Sequence, residues 1–338
     1  MYFNQEKVIE NKIIFSFSSE ESELDIAYGT DKNFLYGCAI SIASILLNNK
    51  DKILKFHIFT DTFEEKDNEQ FCELAKLHNS NINIYIVNCL WLKNLPNDKN
   101  WSYAIYFRFI AVDILYNYTK KILYLDCDII CKGNIRELIE TDIRNVIAAV
   151  ATDRDSIWWK KRALTLETPN IAKGYFNSGV ILINLENWEA EYITKKAIGM
   201  LSNKKTTKKI TYPDQDVLNI LLSENIIFIK KIYNTQYSIN YELKTSKKNQ
   251  YPNPITNETI FIHYIGPTKP WHIWSEYPST FYFKKAKDNS PWAKESLMHP
   301  QTANQFRYSA KHMFRKGIYI ASLFQYLQYF LKKLLSRI

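Results

Sequence analysis

Asp126-Cys127-Asp128 follows directly on an uninterrupted apolar run, Ile122-Leu123-Tyr124-Leu125. Such a run predicts a strand buried on both faces of a parallel sheet, with the two carboxylates at its carboxyl end. One residue apart at neutral pH they repel each other, and a divalent cation is the usual way to neutralise such a pair. Ligands of open α/β sheets collect at that end of the strands. The chemistry expected is a metal held where a phosphate-bearing substrate arrives; a solvated turn is the competing reading of Asp-x-Asp alone.

Other segments point to the same place. Gly29-Thr30-Asp31-Lys32-Asn33 follows the first strand, where backbone and side chains can reach a nucleobase; an ordinary β–α turn would look the same. Arg108, on a largely apolar helix, needs an anionic partner, and either an internal Asp or a diphosphate would serve. Phe176-Asn177-Ser178-Gly179 opens a hydrophobic strand with small polar groups able to bind hydroxyls; a plain turn is the competing reading. Asp214-Gln215-Asp216 stands at a helix start, where N-capping accounts for one acid but not for all three polar groups. In Phe261-Ile262-His263-Tyr264-Ile265-Gly266-Pro267-Thr268-Lys269-Pro270-Trp271 a strand delivers His263 and a Gly-Pro turn presents Lys269. His263 beside the two carboxylates makes a plausible Asp/Asp/His metal set, with Lys269 facing diphosphate oxygens.

The elements that must position these groups alternate. Strands are expected over 24–28, 54–61, 81–89, 122–128, 146–153 and 175–185. Helices are expected over 35–47, 64–78, 102–116, 186–202 and 214–224. This order, without internal repeats, predicts a doubly wound, mostly parallel α/β sheet. Residues 1–23 lack periodicity and read as a flexible leader, 24–274 as the catalytic domain, and 275–338 as a helical, basic C-terminal domain.

Apolar content of 46% and charged content of 23% are ordinary for a globular chain of 338 residues. Eight Gly and no Gly-x-Gly-x-x-Gly argue against a dinucleotide fingerprint. The five cysteines include no Cys-x-x-Cys pair, and the polar N-terminus has no secretory apolar stretch, so reduced thiols and a cytoplasmic location are expected. No segment reaches the length of a transmembrane helix. The net charge is +9, and no acid follows Glu295, whereas Arg307, Lys311, Arg315, Lys316, Lys332, Lys333 and Arg337 do.

Taken together, Asp126-Cys127-Asp128, Tyr175-Phe176-Asn177-Ser178-Gly179, Asp214-Gln215-Asp216 and His263-Tyr264-x-Gly-Pro-x-Lys-Pro-Trp271 resemble glycosyltransferase family 8, over roughly residues 24–272. Asn100-Trp101-Ser102, Tyr233-Asn234-Thr235-Gln236-Tyr237 and Asn304-Gln305-Phe306-Arg307-Tyr308 carry a closer resemblance to the enterobacterial lipopolysaccharide core glucosyl- and galactosyltransferases. The resemblance implies a GT-A fold and a retaining, metal-dependent transfer of glucose or galactose from a UDP-sugar to a lipopolysaccharide core hexose, in α-1,3 or α-1,2 linkage. It implies that Asp126, Asp128 and His263 bind Mn²⁺ or Mg²⁺. Gly29, Thr30, Asp31, Asn33 and Arg108 would contact UDP, with Gly266 and Lys269 on the diphosphate. Asp153, Asn177, Ser178, Asp214 and Gln215 would surround the sugar, with Gln215, Asp214 and Asp153 as the catalytic candidates. Cys127 belongs to the substrate-contacting stretch, although its side chain is not a required ligand.

Retention ordinarily calls for a carboxylate nucleophile, and the amide of Gln215 is a poor one. Front-face attack by the acceptor hydroxyl, with Gln215 steadying an oxocarbenium-like state, is the favoured reading beside double displacement. A self-glucosylating primer protein would use the same motifs but needs an exposed acceptor Tyr. A nucleic-acid-binding protein would explain the charge but not Asp126, Asp128 and His263 together, so no nucleic-acid partner is expected. In the tail, an apolar stripe beside Lys and Arg suits an interfacial helix on anionic lipids of the cytoplasmic face of the inner membrane; packing of that stripe on the body is the alternative.

Overall fold

A computed structural model of the chain describes residues 1–96, 102–244 and 253–335. Asn100, Trp101 and Arg337 lie outside the described residues. Helix α1 (Gln5–Val8) leads into β1 (Ile9–Ser16), and β2 (Leu24–Thr30), α2 (Leu35–Asn48), β3 (Leu54–Thr60), α3 (Glu65–Leu77) and β4 (Asn81–Val87) follow in alternation. Then come α4 (Phe107–Leu115), β5 (Lys121–Leu125), β6 (Ile129–Cys131), α5 (Arg136–Ile139), β7 (Ala148–Thr152), α6 (Ser156–Thr165) and β8 (Phe176–Asn184). Helices α7 (Leu185–Ala190), α8 (Ile193–Ser202), α9 (Lys204–Thr207) and α10 (Pro213–Leu222) precede the short strands β9 (Ile226–Ile229), β10 (Thr235–Gln236) and β11 (Phe261–His263). Helices α11 (Phe281–Asp288), α12 (Ala303–Arg315) and α13 (Tyr319–Leu335) complete the chain.

Eight strands form one sheet in the order β1-β4-β3-β2-β5-β8-β7-β9, and β10, β11 and β6 form a second, small one. Strands β2 to β5 are parallel to their neighbours in this set, whereas β8 runs antiparallel to both β5 and β7. The sheet is therefore mostly parallel with antiparallel insertions, as the alternating pattern led one to expect. The chain winds outward from β2 through β3 and β4, then returns to place β5 on the other side of β2. That reversal makes the crevice between the carboxyl ends of β2 and β5 a topological switch point, the place where such sheets bind ligands. Gly29 and Thr30 end one of these strands, and Asp126 follows the other.

The strands are buried on both faces because each face carries its own core. Ile26, Phe56, Ile58, Ile82 and Ile84 pack with Phe71 and Leu74 of α3, the apolar side of α2, and Phe283 and Ala286 of α11. Ala27, Phe59, Tyr85 and Tyr124 pack on the other face with α4, Trp188, Ile198 and Leu218.

Residues 1–23 are not a flexible leader. Strand β1 pairs antiparallel along β4, Phe3 and Val8 are buried, and the backbone amides of Tyr2 and Phe3 donate to Asp113 Oδ2, both at 2.7 Å. Backbone ladder bonds to a distant strand hold this edge, which amphipathic periodicity cannot report. Two expected helices are also interrupted. Residues 103–106 form a 3-10 turn before α4, and Tyr192, at φ 53°, separates α7 from α8. Nor does the core stop at residue 274: Phe283 and Trp292 belong to the same core as β2 and β3.

Helices α12 and α13 form a hairpin. His312 of α12 is fully buried, while α13 buries only Ser322, whose Oγ donates to Ala310 O at 2.8 Å.

Candidate active site

The run that opens at Lys121 is two strands in two sheets. Asp126-Cys127-Asp128 spans the gap between β5 and β6. Asp126 N donates to Gly179 O at 2.8 Å, which fixes the first carboxylate against β8. Strand β6 runs antiparallel to β11 with Ile129 opposite His263, so the imidazole arrives beside Asp128. His263 Nε2 lies 3.1 Å from Asp128 Oδ1 and 3.9 Å from Asp126 Oδ2. One ligand atom from each of the three residues falls within 4.8 Å of the others. The His263 and Asp128 side chains are only 4% and 10% exposed, whereas Asp126 is 31% exposed, so the cluster opens to solvent on the Asp126 side.

Two carboxylates and an imidazole suit Mn²⁺ or Mg²⁺, which take oxygen donors and tolerate nitrogen. The cluster also needs a residue without a side chain beside it. A Cβ on Gly179 would lie 2.5 Å from His263 Cε1 and 2.8 Å from Asp126 Oδ2. Glycine there is a steric requirement of the site.

Basic groups balance the acids. Arg108 Nη2 is 3.0 Å from Asp126 Oδ1 and 3.2 Å from Asp214 Oδ2, and its Nη1 donates to Ser178 O at 2.7 Å. Burial opposes the guanidinium charge, but Asp214, Tyr124 and Asp126 outweigh it and keep the group charged beyond its ordinary range. The internal acids, then, are what Arg108 pairs with. Lys269 Nζ sits 2.5 Å from Asp128 Oδ2 and donates to Tyr264 O at 2.9 Å. Burial alone would raise the Asp128 pKa, but Lys269 and His263 prevail and hold it well below the carboxylate range. Burial raises Asp126 despite Arg108 and His263. Burial also disfavours a charged His263, yet Asp128 and Asp126 raise its pKa.

Behind the cluster lies the amide of Gln215, in the first turn of α10. Its Oε1 accepts from Asn177 Nδ2 at 2.9 Å and from Ser178 N at 3.1 Å. Ser178 Oγ donates to Asp214 Oδ2 at 3.0 Å. Asn177 Oδ1 accepts from Asn234 Nδ2 at 2.9 Å, and Asn234 Oδ1 pairs with His263 Nδ1 at 3.0 Å. One hydrogen-bonded network thus contains Arg108, Asp126, Asp128, Asn177, Ser178, Asp214, Gln215, His263 and Lys269.

The remaining candidates stand around it. Asp31 Oδ1 accepts from the amides of Asn33 at 2.9 Å and Phe34 at 3.2 Å, so its carboxylate shapes the β2–α2 turn. Thr30 is buried and Asn33 exposed at that turn. The Cys127 sulfur lies 3.5 Å from Gly29 O, at the end of β2. Gly266, at φ 88°, makes the left-handed turn that returns Lys269 to Asp128. Asp153 follows β7, joined through its amide to Tyr175 O at 2.8 Å, and its carboxylate lies 3.8 Å from Arg154.

Sequence reasoning gave no role to Asn234, Tyr175 or Arg162. Asn234 was visible only as part of the Tyr-Asn-Thr-Gln-Tyr stretch. Arg162 follows Lys160 and Lys161 within Ser156–Thr165, where no spacing marks it as buried.

Comparison with known proteins agrees with this geometry. The sequence profile described as Glycosyl transferase family 8 matches residues 25–275, and its companion, Glycosyl transferase family 8 C-terminal, matches residues 277–333. The chain is 49% identical to a lipopolysaccharide 1,3-galactosyltransferase of Salmonella typhimurium, covering 99% of each sequence. It is 50% identical to the lipopolysaccharide glucosyltransferase WaaO of Escherichia coli, covering 98% of each, and 37% identical to an Escherichia coli lipopolysaccharide 1,2-glucosyltransferase, covering 92% of this chain and 91% of that one. Among solved structures, the galactosyltransferase LgtC in complex with donor and acceptor sugar analogs superposes with a TM-score of 0.65 at 20% identity, over 82% of this chain and 98% of that one, a likeness of fold. The fold is GT-A, and the chain belongs to glycosyl transferase family 8.

Proposed function

We propose that this protein transfers a hexose, glucose or galactose, from its UDP conjugate to a hexose of the lipopolysaccharide outer core, retaining the anomeric configuration and forming an α-1,3 or α-1,2 linkage. The observation that carries this reading is the Asp126/Asp128/His263 cluster wired to Gln215, in a chain about half identical over its length to lipopolysaccharide galactosyl- and glucosyltransferases. Mn²⁺ or Mg²⁺ held by Asp126, Asp128 and His263 would stabilise negative charge on the departing diphosphate. Gly29, Thr30, Asp31, Asn33 and Cys127 form the donor end of the crevice. Lys269, on its turn with Gly266, supplies a positive charge to the diphosphate. Arg108 bridges Asp126 and Asp214. Asp153, Asn177, Ser178 and Asp214 enclose the sugar. An amide is a poor nucleophile, so Gln215 steadies the electron-poor anomeric carbon while the acceptor hydroxyl attacks from the same face and passes its proton to the departing UDP oxygen.

The tail supports work at a membrane surface. Leu323, Phe324, Leu327, Phe330, Leu331 and Leu334 of α13 are each more than half exposed, with Lys332 and Lys333 among them. No helix of the described residues is long and apolar enough to cross a membrane. An apolar stripe beside cations is suited to lying in an anionic lipid interface, and a lipid-linked acceptor brings the reaction to the cytoplasmic face of the inner membrane.

Two assays test the reading. Purified protein is given truncated lipopolysaccharide of defined core with labelled UDP-glucose or UDP-galactose, and the product linkage is read by NMR. An α-linked hexose on the core is the expected product; no transfer from either donor would refute the reading. Sedimentation with vesicles rich in phosphatidylglycerol should decrease with salt and be lost when Phe324→Glu and Leu331→Glu are combined. Unchanged sedimentation of that variant would remove the membrane role of α13.

A further inference from the structure

The Gln215 amide is clamped on its nitrogen side as firmly as on its oxygen side. Nε2 donates to the Tyr175 hydroxyl at 3.1 Å. That hydroxyl has no freedom of direction, because its proton is committed to Asp216 Oδ1 at 2.7 Å. The Asp216 carboxylate is itself saturated. Arg162 Nε reaches Oδ1 at 3.0 Å and Arg162 Nη2 bonds Oδ2, while the backbone amides of Thr211 and Tyr212 donate to Oδ2, both at 2.8 Å. A carboxylate only accepts, so the tyrosine must donate to it and receive from the amide. Gln215 must then turn its NH₂ toward Tyr175 and its oxygen toward Ser178 N–H. Reversing any link would leave a buried donor without an acceptor, a cost of about 1–3 kcal/mol in a dry interior.

Helix capping explains only part of this arrangement. The Thr211 and Tyr212 contacts use one carboxylate oxygen. The other oxygen serves Arg162 and Tyr175, which have no part in ending or starting α10. A buried ion pair is weak support for stability by itself, since desolvation offsets most of its attraction. Burial and the Asp216 charge together hold the Tyr175 hydroxyl far above its ordinary pKa, so it remains a proton donor across the working range. Trp158 sets its ring edge-on to Tyr175, with centroids 4.8 Å apart at 71°, and fixes the ring that carries the hydroxyl.

We propose that Arg162, Asp216 and Tyr175 form a positioning relay that sets the orientation of the Gln215 amide for hexose transfer. Tyr175 and Asp216 are both fully buried, so they act through Gln215 without touching the substrate. The proposal rests on the placement of Gln215 at the reacting centre argued above.

A double-mutant cycle tests it, with kcat and KM for the UDP-hexose measured in four proteins. Tyr175→Phe removes one oxygen from a ring that stays packed. Its kcat should fall about tenfold, and its KM and UDP affinity should stay within about twofold of the parent, as for a contact used in the transition state. On the Gln215→Ala background the same substitution should change kcat less than about twofold, because nothing remains to be oriented. Arg162→Lys, which keeps the charge and loses the fork, should behave likewise and serves if Tyr175→Phe folds poorly. An impaired Gln215→Ala enzyme in which Tyr175→Phe still costs its full factor would overturn the relay alone. A Gln215→Ala enzyme as active as the parent would overturn the relay together with the role given to Gln215.

Discussion

Asn234 Oδ1 lies 3.0 Å from His263 Nδ1, and the other end of the asparagine fixes the direction of that bond. Its Nδ2 is spent on Asn177 Oδ1 at 2.9 Å, so the oxygen faces the ring and Nδ1 must carry the hydrogen. Nε2 is thereby left directed at Asp128 and Asp126. Holding the far nitrogen of a ligating histidine fixes its ring and tautomer, and losing such a partner commonly weakens a metal site 10–100-fold.

Asn234→Ala should accordingly raise the dissociation constant for Mn²⁺ by about 10–100-fold, with the melting temperature little changed. Calorimetric titration of the purified protein with Mn²⁺ measures it. Parental affinity in the variant would show that His263 needs no such partner.

Gly179→Ala should damage the site more than the fold. The new methyl would press on His263 Cε1 at 2.5 Å and Asp126 Oδ2 at 2.8 Å, and neither group is free to retreat, being tied to Asn234 and Arg108. A displacement near 1 Å at a reacting centre costs about 100-fold, so hexose transfer should fall at least that far. Transfer assays beside thermal melts decide it; near-parental activity would mean that the cluster tolerates a methyl group.

Much of this site was legible in the sequence because its chemistry lies in short contiguous groups. Asp126-x-Asp128 after an apolar run, and His263 before Gly266 and Lys269, carry their meaning in local spacing. Asn234 does not. It meets His263 only because β10 runs parallel to β11, in a sheet of two- and three-residue strands too short to show a period. Arg162 was hidden for a related reason: its partner is 54 residues away. The edge strand β1 was missed because its alternation is imperfect, with Ile14 exposed beside Ile13, and its stability comes from the β4 ladder.

Acid should loosen the docking of α12. His312 Nε2 donates to Asn240 Oδ1 at 2.9 Å, while Nδ1 accepts from the Tyr277 hydroxyl at 2.8 Å, an arrangement that uses the neutral ring. Burial, then Lys316 and Lys311, pushes its pKa from 6.5 down to about 4. The unfolded chain therefore binds the proton more readily, and stability is full above about pH 6.5 and falls as the pH drops toward 4. The loss attributable to this residue reaches about 3 kcal/mol. Urea denaturation at pH 7 and pH 4.5 should show a larger fall for the parent than for His312→Gln. Equal falls would place the acid sensitivity elsewhere.

The central claim is that Asp126, Asp128 and His263 bind a divalent cation together with the diphosphate of the donor. Titration of UDP into the protein, once with Mn²⁺ and once with EDTA, tests it most directly. Cation and nucleotide should strengthen each other reciprocally, UDP binding at least about tenfold more tightly with Mn²⁺ present, and Asp128→Asn should abolish that difference. Equal UDP affinity in Mn²⁺ and EDTA, or a full Mn²⁺ effect in Asp128→Asn, would contradict the account.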